Sequence, residues 1–315
     1  MHEFRQSKES DAILYAEDTD EPLPEKLNPN TRYSHFSVID KGGKSIIQSC
    51  RDLHLRRTVC YKTLRPEFVN DAIENRRLLR EARISASLQH PNTMPTYEIG
   101  RDIKGRYYFT MKLVHGYTFR QILEYRERYD LTQLVEVLEQ VGQALAYAHS
   151  KGVLHRDIKP DNILVGPYGE VLLLDWGLAK VWHRPDSGQV SESAEENPGR
   201  IGMTGEAKLQ GTVMYMSPEQ VNKDPNISFQ SDLYSLGALL YETLAGKTPF
   251  QGDVVRKILD QIRTETPPDP RTVATQHVPD VLAELAMQCL QKDPLKRPES
   301  AEKLVSVLQE NWLNN

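Results

Sequence analysis

The stretch His155-Arg156-Asp157-Ile158-Lys159-Pro160-Asp161-Asn162, followed by Asp175-Trp176-Gly177, decides how this chain is read. It sets an acid, a lysine two places on and an amide three further in one tight loop. That order suits phosphoryl transfer, whose transition state asks a protein mainly for positioning and charge stabilisation. Asp157 can accept a hydrogen bond from an attacking hydroxyl and aim its lone pair. Lys159 can neutralise the phosphoryl group in flight. Asn162 and Asp175 offer hard oxygen ligands, which magnesium takes between protein and nucleotide phosphates. Any one of these residues alone is an ordinary turn residue; the ordered set carries the reading.

Upstream of the loop, Leu131 to Ser150 places Leu134, Val137, Leu138, Val141, Leu145 and Ala148 on one stripe, which predicts a helix delivering the chain into it. Downstream, Ile163-Leu164-Val165 and Val171-Leu172-Leu173-Leu174 predict a hairpin across Gly166-Pro167-Tyr168-Gly169, which fixes the spacing of Asn162 and Asp175. Asp175 to Glu219 then runs about forty-five residues, longer than a structureless loop usually does. Its middle, Arg184 to Gly205, is rich in Ser, Glu and Gly and predicts a mobile insertion.

Further toward the amino terminus the period changes. Phe36 to Ile39, Ser45 to Ser49 and Arg57 to Lys62 read as strands, the first two joined by Asp40-Lys41-Gly42-Gly43-Lys44. Asp71 to Gln89 has helical spacing, with Ile73, Leu78, Leu79, Ala82, Ser85 and Leu88 for an inner face. His90-Pro91-Asn92 ends it, and strands at Thr96 to Ile99 and Tyr107 to Leu113 follow. Taken alone, several residues here have plain readings. Gly42-Gly43 is a hairpin turn, although glycine between two strands also lets backbone N–H groups approach phosphate oxygens. Lys62 is a snorkelling surface lysine. Glu81 makes local pairs with Arg77 or Arg80, and Met111 is core filler.

The bulk numbers set limits. A chain of 315 residues is one large domain or two small ones. Its 39% hydrophobic and 26% charged content is ordinary for a soluble globular protein. A net charge of -5 argues against binding nucleic acid through phosphate contacts and gives no broad basic face for a membrane. Cys50, Cys60 and Cys289 lack metal or redox spacing and read as reduced packing residues. No apolar run approaches a membrane span, so a cytoplasmic protein is expected. Residues 1–31 are acidic and rich in Ser and Pro, a composition that predicts a disordered tail.

Together these segments resemble the protein kinase family, with H-R-D-x-K-x-x-N followed by D-F-G, Trp176 replacing the usual Phe. Val59-Cys60-Tyr61-Lys62 resembles its third-strand V-A-I-K, and Arg80-Glu81-Ala82-Arg83 its helix-C glutamate. Gly211-Thr212-Val213-Met214-Tyr215-Met216-Ser217-Pro218-Glu219 resembles its G-T-x-x-Y-x-A-P-E substrate-docking segment. The resemblance covers about residues 33 to 310. It implies an α+β, bilobal fold: a small antiparallel strand-rich lobe with helix C over 32–114, then a larger helical lobe over 115–315, with ATP between them and an activation segment over 175–219. Asp157 and Lys159 would be catalytic, with Asn162 and Asp175 holding Mg2+, or Mn2+ in its place. Lys62, held by Glu81, would meet the α and β phosphates. Ile39, Gly42, Gly43, Ile47, Cys60, Met111, Lys112, Val114 and Leu164 would complete the nucleotide site. Met111 would be the gatekeeper, backbone groups of Lys112 and Val114 would meet the adenine edge, and Ile47, Cys60 and Leu164 would sandwich the ring.

The glycine-rich loop departs from the pattern, because Asp40 and Ser45 stand where glycines are usual and only Gly42 survives. This implies weakened ATP affinity, partly offset by Lys44. Glu219 and Arg297 are expected to form a buried pair, and Asp232 to anchor the loop backbone. Lys159 and Thr212 match the serine/threonine-specific version. Arg156 and Lys180 would receive an activation-segment phosphate, at or near Thr204 since Lys208 occupies the usual acceptor position; Glu206 offers a permanent charge instead. The expected activity is transfer of the ATP γ-phosphate to Ser or Thr of protein substrates, with self-association for trans-autophosphorylation. Two rivals stand beside it: a pseudokinase scaffold, and a small-molecule phosphotransferase.

Overall fold

A computed structural model of the chain describes residues 31–181 and 213–313. The expectations placed on residues 1–30, on Arg184 to Gly205, and on Thr204, Glu206, Lys208 and Thr212 lie outside the described residues. The chain divides into two compact units. One runs to Gln89 and takes in Thr93–Gly116 and Gly166–Gly169; the other holds His90–Asn92, Tyr117–Val165 and the chain from Glu170 on.

The first unit is an antiparallel sheet and one long helix. Strands β1 (Tyr33–Lys41), β2 (Ser45–Asp52), β3 (Arg57–Leu64), β4 (Thr96–Arg101) and β5 (Tyr107–Lys112) lie in the order β1-β2-β3-β5-β4. Strand alternation sorts the side chains. Val59 and Tyr61 of β3 join Cys50 and Tyr108 in a cluster that Tyr33 covers. Leu64 of β3 and Phe109 of β5 join Leu78 and Ala82 of helix α1 (Ala72–Ser87) in another. Because Cys60, Lys62 and Leu64 share a face of β3, Lys62 is directed toward the helix.

Helix α1 starts where Asp71 accepts hydrogen bonds from the Ile73 and Glu74 N–H groups, at 2.8 and 3.2 Å. Its inward stripe runs through Glu74, Leu78, Glu81, Ala82 and Ser85. Here the expected inner face needs correction. Ile73 is 38% exposed, since it lies one residue, about 100°, around the helix from Glu74.

The second unit is mainly helical, built on α2 (Phe119–Glu124), α3 (Leu131–Ser150), α4 (Pro218–Val221), α5 (Gln230–Ala245), α6 (Val255–Thr264), α7 (Asp280–Cys289) and α8 (Ala301–Leu308). The α3 bounds are those the apolar spacing predicts, and all six stripe residues are buried. Asp130 and Gln133 form a reciprocal cap at its start. At its end Gly152, at φ 72°, turns the chain into β7 (Val153–Leu154) and the His155–Asn162 loop. Small strands β6 (Tyr117–Thr118), β8 (Ile163–Val165) and β9 (Val171–Leu173) form the predicted hairpin plus one added strand, and β10 (Lys180–Val181) pairs with β7. Helix α5 runs through the middle of the unit, buried from Ser231 to Ala245. Gly237 of α5 allows a close crossing, because a Cβ there would come within 2.2 Å of the Cys289 Cβ. All three cysteines are free and buried.

Candidate active site

The His155–Asn162 loop is held from below by a single carboxylate. Asp232, in the first turn of α5, accepts from the N–H groups of His155 and Arg156 at 2.9 and 2.8 Å, and from His149 Nε2 at 2.8 Å. Burial alone would raise the Asp232 carboxyl, but the His149 and main-chain hydrogen bonds outweigh it and hold it below the usual carboxylate range. That anchor lets Arg156 keep a left-handed backbone, φ 70°. His155, fully buried, uses both ring nitrogens: Nε2 donates to the Leu174 carbonyl at 2.9 Å, and Nδ1 accepts from the Asp157 N–H at 3.2 Å. The ring is thereby spent on joining the loop to the chain just before Asp175. Nothing in the spacing of the sequence singles out His149.

Asp157 projects from this frame. Its Oδ2 accepts from Lys159 Nζ at 2.7 Å and from Asn162 Nδ2 at 3.0 Å, and the same amide donates to the Asp157 carbonyl at 2.8 Å. Burial pushes the Asp157 carboxyl above its ordinary value; the Lys159 ammonium pulls it back, and the charge of Asp175 pushes it up again. The net direction is upward, which makes the carboxylate a stronger proton acceptor than a free aspartate.

Fixing the Asn162 amide nitrogen on Asp157 also fixes the opposite edge, and Oδ1 has no donor among the described residues. The Leu174 N–H donates to the Asn162 carbonyl at 2.8 Å, so Asn162 and the Asp175 stretch are joined by main chain. Asp175 is exposed, at φ 61° and ψ 75°, with Oδ1 accepting from the Gly177 N–H at 3.2 Å. One amide oxygen and one carboxylate fit magnesium, which keeps several waters and takes few protein ligands. Among the described residues no cluster of three or more His, Cys, Asp or Glu could hold a metal unaided. Trp176 fills the core beside them, 1% exposed, its ring edge-on to His155 at 4.5 Å.

In the first unit, Lys62 Nζ donates to Glu81 Oε1 at 2.6 Å, with both side chains nearly buried. Of the three partners open to Glu81, Lys62 is in hydrogen-bond contact with it, and Arg77 Nη1 donates to Glu74 Oε1 at 3.0 Å. Cys60 is buried and Ile47 half-buried, while Ile39 is 51% exposed on the edge strand β1. Met111 lies opposite Cys60 in the sheet and packs on the helix-side cluster. The Lys112 N–H donates to the Pro95 carbonyl at 3.0 Å, and Val114 is half-buried past the end of β5. Leu164, in the second unit, is half-buried in β8.

The β1–β2 turn corrects the role expected of Lys44. Its Nζ pairs with Glu74 at 2.5 Å and lies over the Phe68 ring at 6.0 Å, because a buried carboxylate in the first turn of α1 is the stronger attraction. Lys44 therefore does not offset Asp40. Neither Gly42 nor Gly43 has a positive φ, so neither is there for backbone conformation.

Farther along the second unit, Arg297 grips Glu219 with both nitrogens, Nη1 to Oε1 at 2.6 Å and Nη2 to Oε2 at 2.9 Å. Burial would raise the Glu219 carboxyl, but this fork and the Ser231 hydroxyl hold it below the usual range. Gln220 Nε2 donates to the Arg156 carbonyl at 2.8 Å, and Lys180 Nζ to the Pro225 carbonyl at 3.3 Å.

Comparison with known proteins follows the same outline. A family model described as the protein kinase domain matches residues 33–313. The serine/threonine-protein kinase PknD of Protochlamydia amoebophila is 36% identical over 295 residues, covering 89% of this chain and 30% of its own. PknD of Chlamydia muridarum is 31% identical, covering 88% and 31%, and the serine/threonine-protein kinase pkn3 of Myxococcus xanthus is 32% identical, covering 93% and 52%. The chain thus spans about a third to a half of the length of these curated relatives.

Proposed function

The chain belongs to the protein kinase domain family, and from that premise we propose that it transfers the γ-phosphoryl group of ATP to Ser or Thr hydroxyls of proteins. The observation that carries the reading is the Asp157 carboxylate. It is raised in pKa, aimed by Lys159 and Asn162, and set on a loop whose backbone Asp232 anchors.

In this reading Asp157 accepts the proton of the substrate hydroxyl as the oxygen attacks, and orients that oxygen for in-line transfer. Lys159 releases part of its hold on Asp157 to meet the charge on the transferring group. Asn162 Oδ1 and Asp175 hold magnesium, which supplies charge neutralisation at the phosphates when bound. Lys62, fixed by Glu81, pairs with the α and β phosphates, while Ile39, Ile47, Cys60, Met111 and Leu164 enclose the base. Gly42 and Gly43 admit the phosphates near the β1–β2 backbone. The segment from Gly211 to Glu219 receives the protein substrate, with Glu219–Arg297 as its structural tie. Cytoplasmic action is part of the proposal. Among the described residues no helix is long and apolar enough to cross a membrane.

Autophosphorylation in trans, through transient self-association, belongs to the same proposal, with the acceptor at or near Thr204 and Arg156 and Lys180 as receivers of the phosphate. The test is labelled-phosphate transfer from Mg-ATP to the chain and to a generic basic protein, with Asp157→Ala and Lys62→Met alongside. Label on Ser or Thr in wild type, lost in both variants, is expected; silence in folded wild type favours a nucleotide-binding scaffold. Mass spectrometry of active protein with the whole segment unmodified would retire the autophosphorylation step alone and favour the permanent charge of Glu206.

A further inference from the structure

Helix α1 is fastened to the sheet by charge at two places, and only one of them belongs to the proposed phosphate chemistry. Lys62 Nζ, on β3, donates to Glu81 Oε1 at 2.6 Å. Two helical turns earlier, Lys44 Nζ, from the β1–β2 turn, donates to Glu74 Oε1 at 2.5 Å. The spacing of the two fastenings matches on both sides. Glu74 and Glu81 stand seven residues apart on the inward stripe, about 10.5 Å along the helix axis and about 20° around it. On the sheet, Ile47 lies opposite Lys62, and the Arg65 N–H donating to the Lys44 carbonyl at 2.8 Å carries the pairing three residues further, about 10 Å.

The outer fastening is more than a loose surface pair. The Glu74 side chain is 9% exposed, so its carboxylate has given up most of its water and needs cations within reach. One oxygen, Oε1, takes two of them: Lys44, and Arg77 at 3.0 Å. They differ in where they stand. Arg77 is three residues along the same helix, so it answers the charge without fixing the helix to anything else. Lys44 comes from a different element, and its ammonium also lies over the Phe68 ring at 6.0 Å.

A single contact is a pivot about which a helix can swing. A second contact two turns away removes the swing, because the two ends of a short helix move as one rigid body. Lys62–Glu81 alone would leave α1 free to tilt about Glu81 and draw the lysine with it. Lys44–Glu74 fixes the other end. Its lysine stands in the turn that, in the proposed function, admits the phosphates which Lys62 also meets.

We propose that Lys44 is a positioning residue for Lys62: through Glu74 it sets the direction of α1, and so ties the placing of the β1–β2 turn to the Lys62–Glu81 pair. Its effect on turnover rests on the proposed function; the tie between turn and helix does not. Lys44→Met tests it most cleanly, because the side chain keeps its length, loses its charge and leaves Glu74 with Arg77. Lys44→Arg is the second variant, keeping a cation for Glu74.

In the full chain, amide hydrogen exchange in peptides covering 72–82 should quicken about threefold or more in Lys44→Met, with 131–150 unchanged, and return to the wild-type rate in Lys44→Arg. In steady-state phosphate transfer, Lys44→Met should lower kcat about fivefold with the KM for a protein substrate unmoved. In a Glu81→Gln background, where Lys62 has already lost its holder, the same change should cost less than about twofold. Unchanged exchange at 72–82 in Lys44→Met would overturn the tie, and so would exchange that quickens equally at 131–150. A full fivefold loss in the Glu81→Gln background, or an unchanged kcat in the single variant, would overturn the positioning of Lys62. Wild type inert toward protein would refute the proposed function, and the exchange arm would still decide the tie between turn and helix.

Discussion

The His155–Asn162 loop and the β1–β2 turn are both expected to serve phosphate chemistry, yet the molecule holds them by opposite means. In the loop a buried carboxylate takes two consecutive main-chain N–H groups, one imidazole uses both nitrogens, and one amide fixes the aspartate. In the turn, Gly42 to Lys44 hang between two strands, tied by Lys44–Glu74 and by the Arg65 N–H donating to the Lys44 carbonyl at 2.8 Å. The difference follows the geometry each task demands. A proton acceptor must meet its hydroxyl within hydrogen-bond reach, and small misplacements there carry large penalties in rate. A turn that only needs to admit phosphates beside its backbone can be shaped by the register of its strands.

The sharpest way to break this contrast is Asp157→Asn. It keeps the shape of the loop and removes the proton acceptor, so kcat should fall about 10²–10⁴-fold while the melting temperature stays within a few degrees. A retained rate would mean that the ordered loop serves something other than base catalysis. Next in size is Asp232→Asn, which sets an amide NH2 group among donors that need an acceptor. Unfolding in urea should show a loss of about 3 kcal/mol or more, with activity falling alongside. An unperturbed midpoint would remove the anchor from the account.

A pH profile sharpens the comparison without touching the frame. The folded Asp157 carboxyl is raised, so the acid limb of kcat/KM should lie above the ordinary carboxylate range. Activity appears as pH climbs through that raised value and is lost below it. Lys159→Gln removes the cation that pulls the pKa back, so the limb should move further toward neutral pH, whatever happens to the maximum rate. A limb that moves down instead would contradict the assignment. Glu219 and Asp232 run the other way. Both are depressed in the folded state, so the stability they contribute is present above the unfolded carboxylate range and fades as pH drops through their folded values.

The smallest expected effect belongs to the turn. A Cβ on Gly42 would meet only the Ser45 carbonyl and hydroxyl oxygens, each at 3.5 Å, and the backbone there is not left-handed. Gly42→Ala should therefore leave thermal stability unchanged or raise it by up to about 1 kcal/mol. Destabilisation beyond that would reveal a constraint on the turn that its strands do not impose.

What the sequence makes legible is what lies close together in it. The order of residues in His155–Asn162 and Asp175–Gly177 is itself chemical, and the α3 stripe repeats often enough for its bounds to be read directly. Lys62 and Glu81 can be paired from the sequence only through the resemblance of their segments to a known family, since a lysine at a strand end and a glutamate among arginines each have a local reading too. Ile73 misleads because a 3.6-residue period tolerates a neighbour one position off the stripe. Lys44 misleads because the competing acid, Glu74, lies thirty residues away and only the fold makes it near. His149 is illegible for the same reason: its partner Asp232 lies 83 residues away in sequence. Residues whose partners are remote carry no local signature, whatever their importance.

The burial of the three cysteines has a practical side. Burial pushes the thiols of Cys50, Cys60 and Cys289 up to about 12, so at neutral pH on the order of one in 10⁵ is a thiolate at any moment. An alkylating reagent must wait for the protein to open before it can react. Two of the thiols lie in the strand-rich unit and one lies in α7, packed against Gly237. A timed pulse of reagent, read peptide by peptide, thus becomes a pair of internal clocks, one for each unit, that record which of them breathes first.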